Sequence, residues 1–152
     1  CEGIGGWLIW IVIGLIATPV ILFVQIFHTY LPLFTSGAWQ ELTSAGSSVY
    51  HPVMAGLVVF EMVSKLFFAF SAIGLLALML RESRRFPSLM ILFFVLNLVY
   101  VASDMVLTGF LQGVPAEVFN GMTMQLVKTS LVAMLWIPYF VVSNRVRQTF
   151  VN

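Results

Sequence analysis

The sequence predicts an all-α integral membrane protein, a four-helix bundle in one domain over residues 1–152. Three observations carry this expectation. Hydrophobic residues make up 61% of the chain and charged residues 9%, with a mean hydropathy of +1.03; an ordinary soluble domain carries roughly 25% charge. A formal net charge of only +1 alongside that apolar content excludes a disordered chain, which needs low hydrophobicity and high charge. The apolar residues also fall into four continuous runs rather than short alternating segments, which predicts helices and not barrel strands.

The runs cover about 7–34, 52–80, 87–112 and 118–142, each longer than the roughly 20 residues a spanning helix needs. Pro87 suits a first helical turn, where its missing N–H is an orphan position in any case. Pro19 and Pro138 lie inside runs and predict kinks. Between the runs lie a Ser/Gly/Thr-rich segment at 35–50, a basic turn at 81–86 and a Gly/Pro turn at 113–115. Cys1 in place of an initiating Met predicts that residues once preceded it, a lipid-modified Cys being the alternative. A lone cysteine permits no internal disulfide.

Orientation follows from the arginines, because short cytoplasmic loops are enriched in Lys and Arg. Arg81, Arg84 and Arg85 separate the second and third runs, and Arg145 and Arg147 follow the fourth. The segments 35–50 and 113–117 contain no Lys or Arg. Both termini are therefore expected in the cytoplasm. Arg84, Arg85, Arg145 and Arg147 are also candidates for contact with anionic lipid headgroups, each worth about 1 kcal/mol.

Ionisable residues inside a span are costly and mark functional sites by default. Four occur here: Glu61, Lys65, Asp104 and Lys128. Counted from the expected cytoplasmic ends of the spans at the helical rise, these four and Gln25 come out at depths of about 24 to 30 Å, one layer in the outer third of the bilayer. Glu61 and Lys65 are i,i+4 neighbours in the favourable order, and Asp104 and Lys128 are the expected inter-helix pair. Gly14, Thr18, Ile21, Gln25 and His28 recur at 4-3-4-3 spacing as one polar stripe. Asn97 lies one heptad before Asp104, while Ser64, Gln125 and Thr129 adjoin the charged positions. Small residues nearby, Ala55, Gly56, Ala69 and Gly121, are expected to leave room for a pocket. The competing reading is that the charges only fix helix register.

No cofactor or metal is expected, since His28 and His51 stand without a Cys or carboxylate pattern. Seven basic residues in separate places form no nucleic-acid face. Protease, hydrolase and P-loop motifs are absent from the sequence, and a non-enzymatic protein is expected. Trp7, Trp10, Trp39, Tyr50, Trp136 and Tyr139 read as interfacial anchors.

Several motifs together are familiar. Gly3-Ile4-Gly5-Gly6-Trp7-Leu8 at the start, Phe60-Glu61 in the second run, and Trp136-Ile137-Pro138-Tyr139-Phe140 followed by Ser143-Asn144-Arg145-Val146-Arg147-Gln148-Thr149-Phe150 at the close resemble the bacterial inner-membrane family of domain of unknown function 2569. The resemblance implies a four-span protein of the bacterial inner membrane and supplies no activity. It also implies a basic residue followed by Ser early in span four, whose counterpart here is Lys128-Thr129-Ser130 with Lys in place of Arg. It draws attention to Gly3, Gly5 and Gly6 as a place for a tight turn or close approach. The segment 143–150 is then expected as a short interfacial helix, a hairpin or simply a basic tail.

The functional expectation is a protein that binds a membrane partner or a small amphiphilic ligand through a polar pocket around Glu61, Lys65, Asp104 and Lys128, with Gln25 and Asn97 in its wall. A small proton-coupled transporter and an immunity or accessory subunit of another membrane protein are the alternatives.

Overall fold

The computed structural model describes residues 4–152; Cys1, Glu2 and Gly3, with the readings made for Cys1 and Gly3, lie outside the described residues. Among the described residues six helices follow one another: α1 (Leu8–Thr35), α2 (Ala38–Thr43), α3 (Pro52–Leu80), α4 (Phe86–Gly109), α5 (Ala116–Val142) and α6 (Asn144–Thr149). Among the described residues there is no strand. The four long helices are each apolar and long enough to cross a membrane. The chain is a multi-pass helical membrane protein, in agreement with the predicted class.

Local chemistry sets the helix ends. His51 caps α3, its Nδ1 accepting from Met54 N at 3.1 Å, and Pro52 takes the first turn without losing a bond. Pro115, in extended conformation, precedes α5, and Glu117 falls in its first turn, where the helix dipole favours an acid. The fourth span thus starts two residues before the hydropathy edge. The third ends three residues before its apolar run does. Phe110 N bonds Leu107 O and Leu111 N bonds Thr108 O, tight turns that close α4 while hydrophobic residues continue. The short α2, inside the segment expected to be a polar loop, follows Gly37 at φ +81° and is held by Trp39 against Phe34 at 5.0 Å.

Helix α1 packs along α3, α4 along α5, and α3 against α4. An even number of crossings puts 4–7 and 143–152 at one end of the bundle, here the terminal end, and α2 at the other, the loop end. The buried cluster occupies the terminal half, with Leu8, Ile11 and Leu15 of α1, Phe94 of α4 and Ala133 and Phe140 of α5 among its members. Trp7 meets Trp136 edge-on at 6.5 Å. Helices α1 and α5 do not pack along one another as the other neighbouring spans do. Apolar side chains such as Phe27, Val106 and Met134 are exposed and form the lipid-facing surface. In lipid, helix association rests on packing and inter-helix hydrogen bonds more than on water exclusion.

A cap closes the terminal end. Ser143 Oγ accepts from Val146 N at 3.4 Å and starts α6, so the closing segment is a short helix. Val146, Thr149 and Phe150 are buried. Phe150 lies 4.7 Å from Phe86, which also meets Phe140 at 5.9 Å. Beyond Phe150 the chain pairs with the basic turn: Arg84 N donates to Asn152 O at 2.7 Å, and Asn152 N donates to Glu82 O at 3.2 Å. Arg84 Nε donates to Val151 O, and Arg147 donates to Val141 O at 3.2 Å. Both side chains thus have protein partners although, like Arg85, they are exposed.

Arg145 is half-buried, with its guanidinium against Gly5 and Gly6. A Cβ on Gly6 would lie 3.0 Å from Arg145 Nη1, and Gly6 has φ +59°. The glycine pair therefore admits an arginine that a side chain would push away. Gly6→Ala should lower stability by about 1–2 kcal/mol, read as a lower Tm in detergent. An unchanged Tm would mean that Arg145 moves aside freely.

Candidate functional site

The polar side chains converge by helical spacing. On α3, Glu61, Lys65 and Phe68 follow at 4-3 intervals; on α4, Asn97, Tyr100, Val101 and Asp104 share one face. These residues, with Thr18, Leu22, Gln25 and Thr29 of α1 and Gln125 of α5, line a cavity of about 520 Å³ in the loop-end half. Five of the six residues expected to form a pocket are thus brought together: Glu61, Lys65, Asp104, Gln25 and Asn97.

Tyr30 fastens the α1 side of this group. It is buried, and its hydroxyl donates to Glu61 Oε2 at 3.1 Å. The Lys65 ammonium lies 5.3 Å from the centre of the Tyr30 ring, within range of a cation–π attraction. Tyr100 sits between Phe60 at 5.7 Å and Phe68 at 5.6 Å, so its position in the wall is fixed by α3. Neither tyrosine was among the expected site residues. The signal was present: a Tyr far inside an apolar run needs a partner for its hydroxyl, and Tyr100 shares the helix face of Asn97 and Asp104.

Asp104 differs from Glu61. Its Oδ1 is buried and has no hydrogen-bond partner among the described residues. Glu61 and Asp104 also line a second cavity of about 460 Å³ between α3, α4 and α5, whose other walls are mainly apolar, with Leu57, Val58, Val118 and Met122 among them. The two carboxylates therefore face both a polar and an apolar space.

Lys128 is placed elsewhere. It is exposed and lines a separate cleft of about 290 Å³ with Thr18, Asn97, Thr129, Trp10 and Trp136. The helix boundaries explain this. Asp104 lies five residues before the end of α4 and Lys128 twelve residues past the start of α5, a difference in depth of about 10 Å. Asn97, twelve residues before the α4 end, is level with Lys128 and lines both spaces. The expected Asp104–Lys128 pair is not formed.

The stripe on α1 is also corrected. Ile21 and His28 are exposed, and Ile21 faces a groove with Ile13 and Val20; Leu22 and Thr29 take their places in the cavity wall. From Thr18 the positions three and four ahead lie on either side of the stripe axis, so spacing alone does not choose between them. Ala55 and Ala69 are buried, and Gly56 and Gly121 are exposed with open space beside them. The room in the bundle is the space enclosed by α1, α3, α4 and α5, whose side chains line the cavity. Ser64 is absent from the cavity wall, while Gln125 and Thr129 line the polar cavity and the Lys128 cleft respectively.

The family whose motifs the sequence resembles has a model described as Protein of unknown function (DUF2569), and it matches residues 1–151. The chain belongs to the DUF2569 family. No curated protein and no solved structure matches it. In this DUF2569 protein the closing motif builds the terminal cap, Gly5 and Gly6 of the opening motif seat Arg145, and Phe60-Glu61 joins the Tyr100 contact to the cavity. Among the described residues no group of three His, Cys, Asp or Glu side chains is placed to hold a metal ion. The DUF2569 cavity offers instead carboxylate acceptors, one ammonium donor, and the amides of Gln25 and Asn97 inside an apolar bundle.

Proposed function

We propose that this DUF2569 protein is a non-enzymatic binding protein of the bacterial inner membrane, with both termini in the cytoplasm, that takes the polar group of an amphiphilic small molecule into the Glu61–Lys65–Asp104 cavity. One observation carries the reading: Glu61, Lys65 and Asp104 line an open space of about 520 Å³ at bilayer depth, and in its wall Asp104 Oδ1 is buried without a partner. Charges that serve only helix register are expected to close on one another, because an unpaired buried charge costs several kcal/mol. The arginines at the terminal end support the orientation.

Native mass spectrometry of protein extracted in polymer discs tests this. The wild type should carry a small-molecule adduct. Glu61→Gln/Asp104→Asn should lose it, with occupancy falling at least tenfold, while the protein still unfolds in one cooperative transition. No adduct on the wild type, or equal adducts on both proteins, would defeat the reading. A bound polypeptide in its place would make the protein an accessory subunit.

A further inference from the structure

The cavity's chemistry narrows the ligand class. Resting on the reading that this cavity binds a ligand, we infer that the ligand is a cationic amphiphile, an alkylammonium whose head lies against the Glu61–Asp104 carboxylate pair and whose chain runs between α3 and α5 past Leu57, Val58 and Met122.

Four observations lead there. Two adjoining carboxylates face the single Lys65 ammonium, so with both ionised the polar cavity is one cation short of neutral. Lys65 is already engaged with the Tyr30 ring at 5.3 Å, and Glu61 already accepts from Tyr30, which leaves Asp104 Oδ1 as the acceptor in need of a donor. The rings of Phe68, Phe93 and Tyr100 line the same space, and aromatic faces with nearby carboxylates favour ammonium groups. Finally, Glu61 and Asp104 are shared with the second cavity of about 460 Å³, whose mainly apolar walls suit a hydrocarbon chain. Polar head and apolar chain thus have adjoining places, with the carboxylates at the junction.

The test uses the full chain in maltoside micelles with three probes of equal chain length: dodecylammonium, dodecanol and dodecanoate. A ligand that binds the folded state raises Tm with concentration. Dodecylammonium should raise it and bind at least tenfold tighter than either other probe. Asp104→Asn should weaken dodecylammonium at least tenfold. Leu57→Trp, which fills the chain space and keeps both carboxylates, should weaken it as well. Equal shifts from dodecanol would overturn the cationic head and leave amphiphile binding standing. Preference for dodecanoate would overturn it too, and make Lys65 the selecting group. No shift from any probe, in a protein that still carries an adduct lost in Glu61→Gln/Asp104→Asn, overturns this inference alone. No shift and no adduct overturns both readings.

Discussion

Phe86→Ala should cost about 3 kcal/mol of unfolding free energy and should loosen the terminal cap before the spans separate. Phe86 is fully buried and touches the two elements that close this end, Phe140 of α5 and Phe150 beyond α6. Its position at the start of α4 means that its removal leaves a void where water is near, so the transfer and cavity costs both apply. Aromatic pairs add about 0.5–1.5 kcal/mol beyond burial. A double-mutant cycle with Phe150→Ala should therefore show coupling of about 1 kcal/mol. Proteolysis would report the cap directly, with cleavage near 143–152 rising in Phe86→Ala before the spans become accessible. Additive effects, or a cleavage rate equal to that of the wild type, would show that the Phe86–Phe150 contact does not hold the cap closed.

That cap also shows where sequence reading reached and where it stopped. Four spans were legible because lipid demands about 20 apolar residues per crossing, a pattern in composition alone. Their ends were less so: hydropathy cannot tell that Phe110 and Leu111 belong to a turn, since apolarity and helical hydrogen bonding part there. Glu61, Lys65 and Asp104 were legible because an ionisable residue in a span stands out, and Asn97 and Gln25 followed from helical spacing. Lys128 was misplaced because depth was counted from the terminal side of spans of unequal length, 24 residues in α4 and 27 in α5. Counted from the loop-side ends, Lys128 lies about 10 Å further in than Asp104, at the Asn97 level. Tyr30 and Tyr100 were passed over because they are apolar in bulk and polar only at one atom. Their roles arise from inter-helix geometry, which no single-helix pattern contains. The seating of Arg145 on Gly5 and Gly6 is of the same kind: the motif was visible, and its partner, more than a hundred residues away, was not.

Lys65→Met should separate stability from binding by moving them in opposite directions. Met keeps an unbranched chain of similar bulk, so what is removed is chiefly the charge. The cavity then holds two carboxylates and no ammonium from its own wall. Removing one member of a buried charge group costs about 3–5 kcal/mol; Lys65 is half-buried, and a loss of about 2 kcal/mol is expected after discounting for that exposure. Adding Glu61→Gln should recover much of it, because Gln still accepts from the Tyr30 hydroxyl while one negative charge goes. For a cationic ligand the sign reverses. One positive charge fewer beside the head should tighten dodecylammonium about tenfold, equivalent to about 1.4 kcal/mol. Thermal unfolding with and without the probe measures both quantities on one sample. If Lys65→Met lowers stability and Glu61→Gln does not restore it, the loss lies in packing against Tyr30 and not in charge. If dodecylammonium binds the variant no more tightly, Lys65 does not act on the head electrostatically, and the ammonium does not sit in the space that Lys65 shares with Glu61 and Asp104.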